Sequence, residues 1–127
     1  MSKEIIFNKD MLIVSETDEK GYITFANDDF CKISGYTLDE LIGKPHNILR
    51  HKDMPSFAFK DLWETLKAGK IWKGIVKNRT KDGNYYWVNA TAYPSKYIDG
   101  RLRYISVRVK TTQKELLTAI EQYSIKG

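Results

Sequence analysis

Two Asp-Gly dipeptides, Asp82-Gly83 and Asp99-Gly100, separate three runs of strand character over residues 71–79, 84–93 and 101–110. Asp-Gly readily adopts the positive backbone φ that a tight hairpin turn demands. The three runs are therefore predicted to form consecutive antiparallel strands. "MLIVSETD" (11–18) and "YITFAN" (22–27) read as two more, joined through the short "DEKG" turn. Five antiparallel strands cannot cover both of their own faces, so the segment between the second and third must cover one of them.

That segment has helical signals. "NDDFCKISGY" (27–36) places Phe30 and Ile33 before a glycine stop at Gly35. Thr37 and Glu40 have capping-box spacing ahead of Gly43. "PHNILRHKDMP" (45–55) lacks a period and is bracketed by prolines, which predicts irregular chain with one helical turn. From Ser56, the apolar stripe Phe59, Leu62, Trp63 and Leu66 predicts a longer helix ending near Gly69. Thr112 and Glu115 open a last helix, with Leu116, Ile120 and Tyr123 on one face.

Composition sets bounds. With 127 residues, 42% of them apolar and 29% charged, the chain makes one globular domain. The net charge of +5 is scattered without a basic run, which argues against nucleic acid and reads first as a solvated positive surface, with an anionic cofactor, a bilayer surface or a partner domain as alternatives. Cys31 is alone, so there is neither an intrachain disulfide nor a cysteine zinc site. No apolar run approaches the roughly 18 residues of a membrane span, and no signal-peptide core opens the chain. The expectation is a cytoplasmic module without membrane insertion of its own.

Strand alternation puts Trp72, Gly74, Val76 and Asn78 on one face of the third strand, and Ile71, Lys73, Ile75, Lys77 and Arg79 on the solvated one. An indole, a missing side chain and an amide together suit a flat hydrogen-bonding ligand between sheet and helices. The plainer alternative has Trp72 covering the sheet, Gly74 marking a bulge and Asn78 at the rim. In the fifth strand, Ile105, Val107 and Val109 alternate as the buried set. Tyr85, Tyr86 and Trp87 place aromatics on both faces of the fourth, one of them a candidate for subunit contact.

Catalytic constellations are missing from the sequence. Neither GxGxxG nor GxxxxGK[ST] occurs. His46 and His51 lie five apart, which is not the HExxH spacing, and neither has a Glu or Cys partner nearby. An axial haem ligand remains one alternative for them, a hydrogen-bonded or surface histidine the other. Cys31 reads as a small hydrophobe. The Asp28/Asp29 and Asp39/Glu40 pairs sit in early helical turns that favour negative charge. The chain is not expected to be an enzyme.

Two segments, "ITFANDDFCKISGYTLDELIGKPHNILRHKDMP" and "WKGIVKNRTKDGNYYWVNATAYP", resemble a PAS domain, and specifically the sensor module of the aerotaxis receptor family. The resemblance implies an α+β PAS fold, with a five-stranded antiparallel sheet of order 2-1-5-4-3 and short helices over one face. It implies non-covalent FAD whose redox state is relayed to a chemotaxis signalling domain, in cis or in trans, and a homodimer as one assembly. It divides the chain into an N-terminal extension (1–10), the sensor domain (11–111) and a C-terminal helix or linker towards the partner (112–127).

Matched residue by residue, the resemblance implies a cofactor site of Asn27, Arg50, His51, Asp53, Phe59, Trp72 and Asn78. Trp72 and Phe59 are expected to wall the ring, and Asn27 or Asn78 to bond its edge. Arg50 is expected at an anionic or oxygen-rich part of the cofactor, ordered by His51 and Asp53. Reduction is expected to flip the Asn78 amide and strain the third strand. "PHNILRH" has no cysteine where light-sensing relatives attach flavin mononucleotide, so a flavin–thiol photocycle is not expected. Against this stand a docking or dimerisation module without flavin and a haem-based gas sensor.

Overall fold

The computed structural model describes residues 2–126, so residue 1 of the expected extension and residue 127 of the expected C-terminal segment lie outside it. Strands β1 (Ile13–Asp18), β2 (Ile23–Ala26), β3 (Trp72–Arg79), β4 (Tyr85–Lys96) and β5 (Leu102–Val109) form one antiparallel sheet in the order β2-β1-β5-β4-β3. The expected architecture is the observed one. β4 runs beyond its expected end at Tyr93 because Ser95 and Lys96 still pair with Arg103 and Leu102, leaving a turn closed by Gly100 N–H to the Tyr97 carbonyl at 2.9 Å.

The helices α1 (Asp28–Ser34), α2 (Leu38–Leu41) and α3 (Ser56–Lys67) pack over one face of the sheet, with a 3-10 turn at His46–Leu49 between α2 and α3. Local chemistry sets their ends. Asn27 caps α1 by accepting from Phe30 N–H at 3.2 Å. Thr37 and Glu40 complete the reciprocal capping box of α2. Phe30, Leu41, Leu49, Ile13, Ile23 and Val88 make the main core, while Leu66, Ala92 and Tyr104 form a second cluster under α3.

The α4 helix (Gln113–Lys126) starts from the expected Thr112–Glu115 cap. Glu115 accepts from Asn89 at 3.2 Å, and Tyr123 donates to the Ile75 carbonyl at 2.5 Å while meeting Phe57 of α3 edge-on. Its buried contact is Ala119, whereas Ile120, expected on that face, is exposed. Among the described residues no helix is long and apolar enough to cross a membrane.

One phase is reversed. In β5 the residues turned towards the helices are Tyr104, Ser106 and Arg108, with Tyr104 and Arg108 buried, while Val109 is 41% exposed. The apolar set Ile105, Val107 and Val109 lies on the opposite face. On this strand the helix-covered face carries Ser106 and Arg108 into an otherwise mostly apolar cavity, so the hydrocarbon content of β5 alone misreports which of its sides is inside. The first residues also join the fold. Ile5 N–H donates to Tyr85 O at 2.7 Å, Tyr85 N–H to Lys3 O at 3.1 Å, and buried Phe7 stacks on Tyr86 at 6.3 Å.

Candidate functional site

Between α3 and the sheet lies a cavity of about 70 Å³. Phe59, Leu62, Trp63 and Leu66, the stripe read from α3, form its roof. Trp72, Val76 and Asn78 of β3 and Tyr104, Ser106 and Arg108 of β5 form its floor, with Thr17, His46 and Arg50 at the sides. The helical period of α3 and the alternation of β3 thus converge on one space. Trp63 stands edge-on to Tyr104 at 5.5 Å and rests over Gly21, where a Cβ would sit 3.4 Å from the indole.

Four of the expected site residues come together here: Arg50, Phe59, Trp72 and Asn78. Asn78 is 4% exposed, and a single antiparallel bridge joins its backbone to that of Arg50. The Arg50 guanidinium lies 4.5 Å from the Phe59 ring centre and donates through Nη2 to the Met54 carbonyl at 3.2 Å. Trp72 is buried, and its Nε1 donates to Asp61 Oδ2 at 2.8 Å. The indole folds back over Gly74, so that a Cβ at Gly74 would fall 2.4 Å from it. The missing side chain therefore makes room for Trp72 itself, whereas the sequence suggested a gap for a ligand ring.

The other three lie outside the lining. Asn27 is occupied as a latch: Oδ1 accepts from Val14 and Phe30 N–H, and Nδ2 donates to Leu12 O at 2.7 Å. His51 is buried, its Nδ1 accepting from Asp53 N–H at 3.0 Å and its ring meeting Tyr85 edge-on. Burial, then the Lys77 charge, lower its pKa. Asp53 is mostly exposed and holds Lys77 at 3.0 Å, a contact that lowers the Asp53 pKa. His51 and Asp53 thus form a Lys77-linked brace on the segment that carries Arg50.

Sequence reading passed over the most polar part of the cavity. Arg108, 3% exposed, donates through Nη2 to Ser15 Oγ at 2.7 Å and to His46 Nε2 at 2.8 Å, and its guanidinium carbon lies 5.0 Å from the Phe30 ring centre. Burial, then the Arg108 charge, lower the His46 pKa to about 3, so the imidazole is neutral and accepts at Nε2. Burial also lowers Arg108 to about 10, which leaves it charged at neutral pH. Among the described residues Arg108 Nη1 and Thr17 Oγ1 have no hydrogen-bond partner, and the buried Tyr86 side chain lies across the β3–β4 ladder from Asn78. The signal available in the sequence was an arginine inside an otherwise ordinary strand.

This donor set suits a planar, acceptor-bearing ligand held by stacking and hydrogen bonds. The volume does not admit one as it stands, because about 150 Å³ is what benzene occupies in a dry core cavity. A second cavity of about 190 Å³, lined by Gly21, Pro45, Asn47 and again by His46, Phe59, Leu62 and Trp63, lies on the other side of the same α3 side chains. Moving that partition would join the two. Among the described residues no group of three His, Cys, Asp or Glu could hold a metal ion.

Comparisons with known proteins bear on the fold and the family. A family model described as the PAS fold matches residues 23–109. The aerotaxis receptor of Escherichia coli K12 is 52% identical over 108 residues, 84% of this chain and 21% of the receptor. The biofilm dispersion protein BdlA of Pseudomonas aeruginosa is 38% identical over 68% of this chain and 21% of its own length. The chain thus spans about a fifth of the length of these curated relatives. Among solved structures, a light-oxygen-voltage domain studied with a flavin analogue superposes with a TM-score of 0.75 at 18% identity, covering 91% of this chain and 88% of that one.

Proposed function

The chain belongs to the PAS-fold family, and on that premise we propose that it is a redox sensor holding a flavin, FAD by its aerotaxis resemblance, and reporting to a chemotaxis signalling domain. The 52% identity to an aerotaxis receptor over 84% of the chain carries this reading. PAS sensor domains of this kind are non-catalytic, and the site's task is to bind and to report. When bound, the flavin supplies a reversible electron store whose charge and proton content change with redox state.

The residues divide that task. Trp63, Phe59 and Tyr104 offer aromatic surface, and the buried Asn78 amide is able to donate and accept at a ring edge. Arg50, at the margin between the cavity and a basic groove with Lys44, Lys52 and Arg79, holds the phosphate-bearing tail. Closure of α3 excludes water. The route outward runs along β3, from Asn78 to Ile75, whose carbonyl α4 grips through Tyr123. The helix α4 is therefore the proposed output element, and exposed Phe25 and Val109 belong to a sheet face open to a partner or a second copy.

Reconstitution tests this. The protein, incubated with FAD and desalted, retains one flavin with the visible band of a bound isoalloxazine, and Trp72→Ala lowers retention at least tenfold. A wild-type protein that folds yet retains no flavin overturns the reading. The small volume of the cavity favours the second reading in that event, a PAS docking module without a flavin.

A further inference from the structure

Arg108 brings a positive charge into the core without an anion to meet it. Its recorded partners, the Ser15 hydroxyl, the neutral His46 imidazole and the face of Phe30, carry no charge. Among the described residues no carboxylate pairs with Arg108, and none lines the cavity; Glu16 is held by Arg103 and Tyr97, Asp61 by Trp72 and Asp53 by Lys77. An uncompensated buried ion costs several kcal/mol, and well-packed hydrocarbon in its place is often more stable. The fold alone therefore gives no reason for a guanidinium on this face of β5. Among the described residues Nη1 is left without an acceptor on a side chain that lines the cavity, and the equally unpartnered Thr17 Oγ1 belongs to a residue of the same lining.

We infer that Arg108 is the recognition cation of the cavity, donating through Nη1 to an acceptor on the ring edge of the bound flavin and favouring whichever ligand state carries more negative charge. This rests on the flavin reading above. The charge balance is simple. A neutral oxidised ring that takes two electrons from a reductant and one proton from water holds one negative charge. A fixed guanidinium with no carboxylate of its own lowers the energy of that state relative to the oxidised one. His46 is a positioning residue in this account: neutral, it orients Nη2 without quenching the charge, where a carboxylate would cancel it.

Two measurements on the flavin-loaded protein test the inference. The midpoint potential is determined with dithionite and a reference dye for wild type, Arg108→Gln and Arg108→Lys. Arg108→Gln should retain flavin but lose at least tenfold of the preference for the reduced state, a fall of about 30 mV for a two-electron couple. Arg108→Lys should recover part of it. Nitrogen-detected NMR of the wild type, which needs no stable variant, should show one buried guanidinium shifting and exchanging more slowly on FAD addition, that signal being absent from Arg108→Lys. Flavin uptake with no guanidinium response, or a folded Arg108→Gln with wild-type potential, overturns this inference and leaves the flavin reading intact. Failure of wild type to take up flavin removes both.

Discussion

Gly74 and Trp72 share one volume. The strand alternation that puts them on the same face also lays the indole where a Cβ would be, 2.4 Å away. Gly74→Ala must push the indole off its Asp61 acceptor or bend β3, and the expected cost is about 1–3 kcal/mol, the range for overpacking. Urea unfolding measures it, and loss of the buried-indole fluorescence signature distinguishes displacement of Trp72 from strand distortion. His46 makes a second residue-level prediction. Its pKa in the fold, about 3, lies below the unfolded value of 6.5, so between those values the unfolded chain binds more protons. The contribution is present above the unfolded pKa and is lost as pH falls through the window between the two. On the order of 3 kcal/mol should be gone by pH 4 from this group alone, and His51 acts in the same direction. A His46→Gln variant should show a visibly flatter stability curve between pH 7 and 4 in chemical denaturation; an unchanged slope would contradict the burial of this imidazole.

Elements differed in how openly the sequence announced them. Asp82-Gly83 and Asp99-Gly100 located both hairpins, the caps at Thr37 and Thr112 located two helix starts, and the stripe of α3 pointed into the cavity as read. Strand β5 was misread because its Ile and Val residues face away from the helices while Tyr104, Ser106 and Arg108 face them. Alternation gives two faces, and hydrophobicity chooses between them only where the inside is hydrocarbon. The same fact hid Arg108 and Ser15 from the site. Four of the seven expected site residues, Arg50, Phe59, Trp72 and Asn78, line the cavity; Asn27, His51 and Asp53 instead hold the chain around it. The α4 helix has its own test. Tyr123→Phe removes the hydrogen bond to Ile75 O, a loss of about 1 kcal/mol, and faster amide exchange should appear in α4 and at the β3 edge while β1 and β5 stay protected.

On the scale of the whole molecule, the two cavities share the α3 side chains that separate them. Occupation by anything as large as three fused rings requires Phe59, Leu62 and Trp63 to move together, because these residues wall both spaces. Binding should therefore saturate: the observed association rate levels off at high flavin concentration as opening becomes limiting. Stopped-flow quenching of flavin fluorescence reads this directly, and a rate that stays linear in concentration would mean that the site stands open. Once bound, ligand at a hundredfold excess over Kd should add about 2.7 kcal/mol to stability.

The few residues ahead of β1 also matter at this scale. Lys3 and Ile5 bond to Tyr85, and Phe7 is sealed against Tyr86, so the start of β4 has a neighbour where β5 has already ended. Anything spliced onto the front of this domain would connect to its interior through a lever of only a few peptide units. A pull, a twist or a protease cut there would act on Tyr85 and Tyr86 through these contacts, making that end a second handle on the same machine.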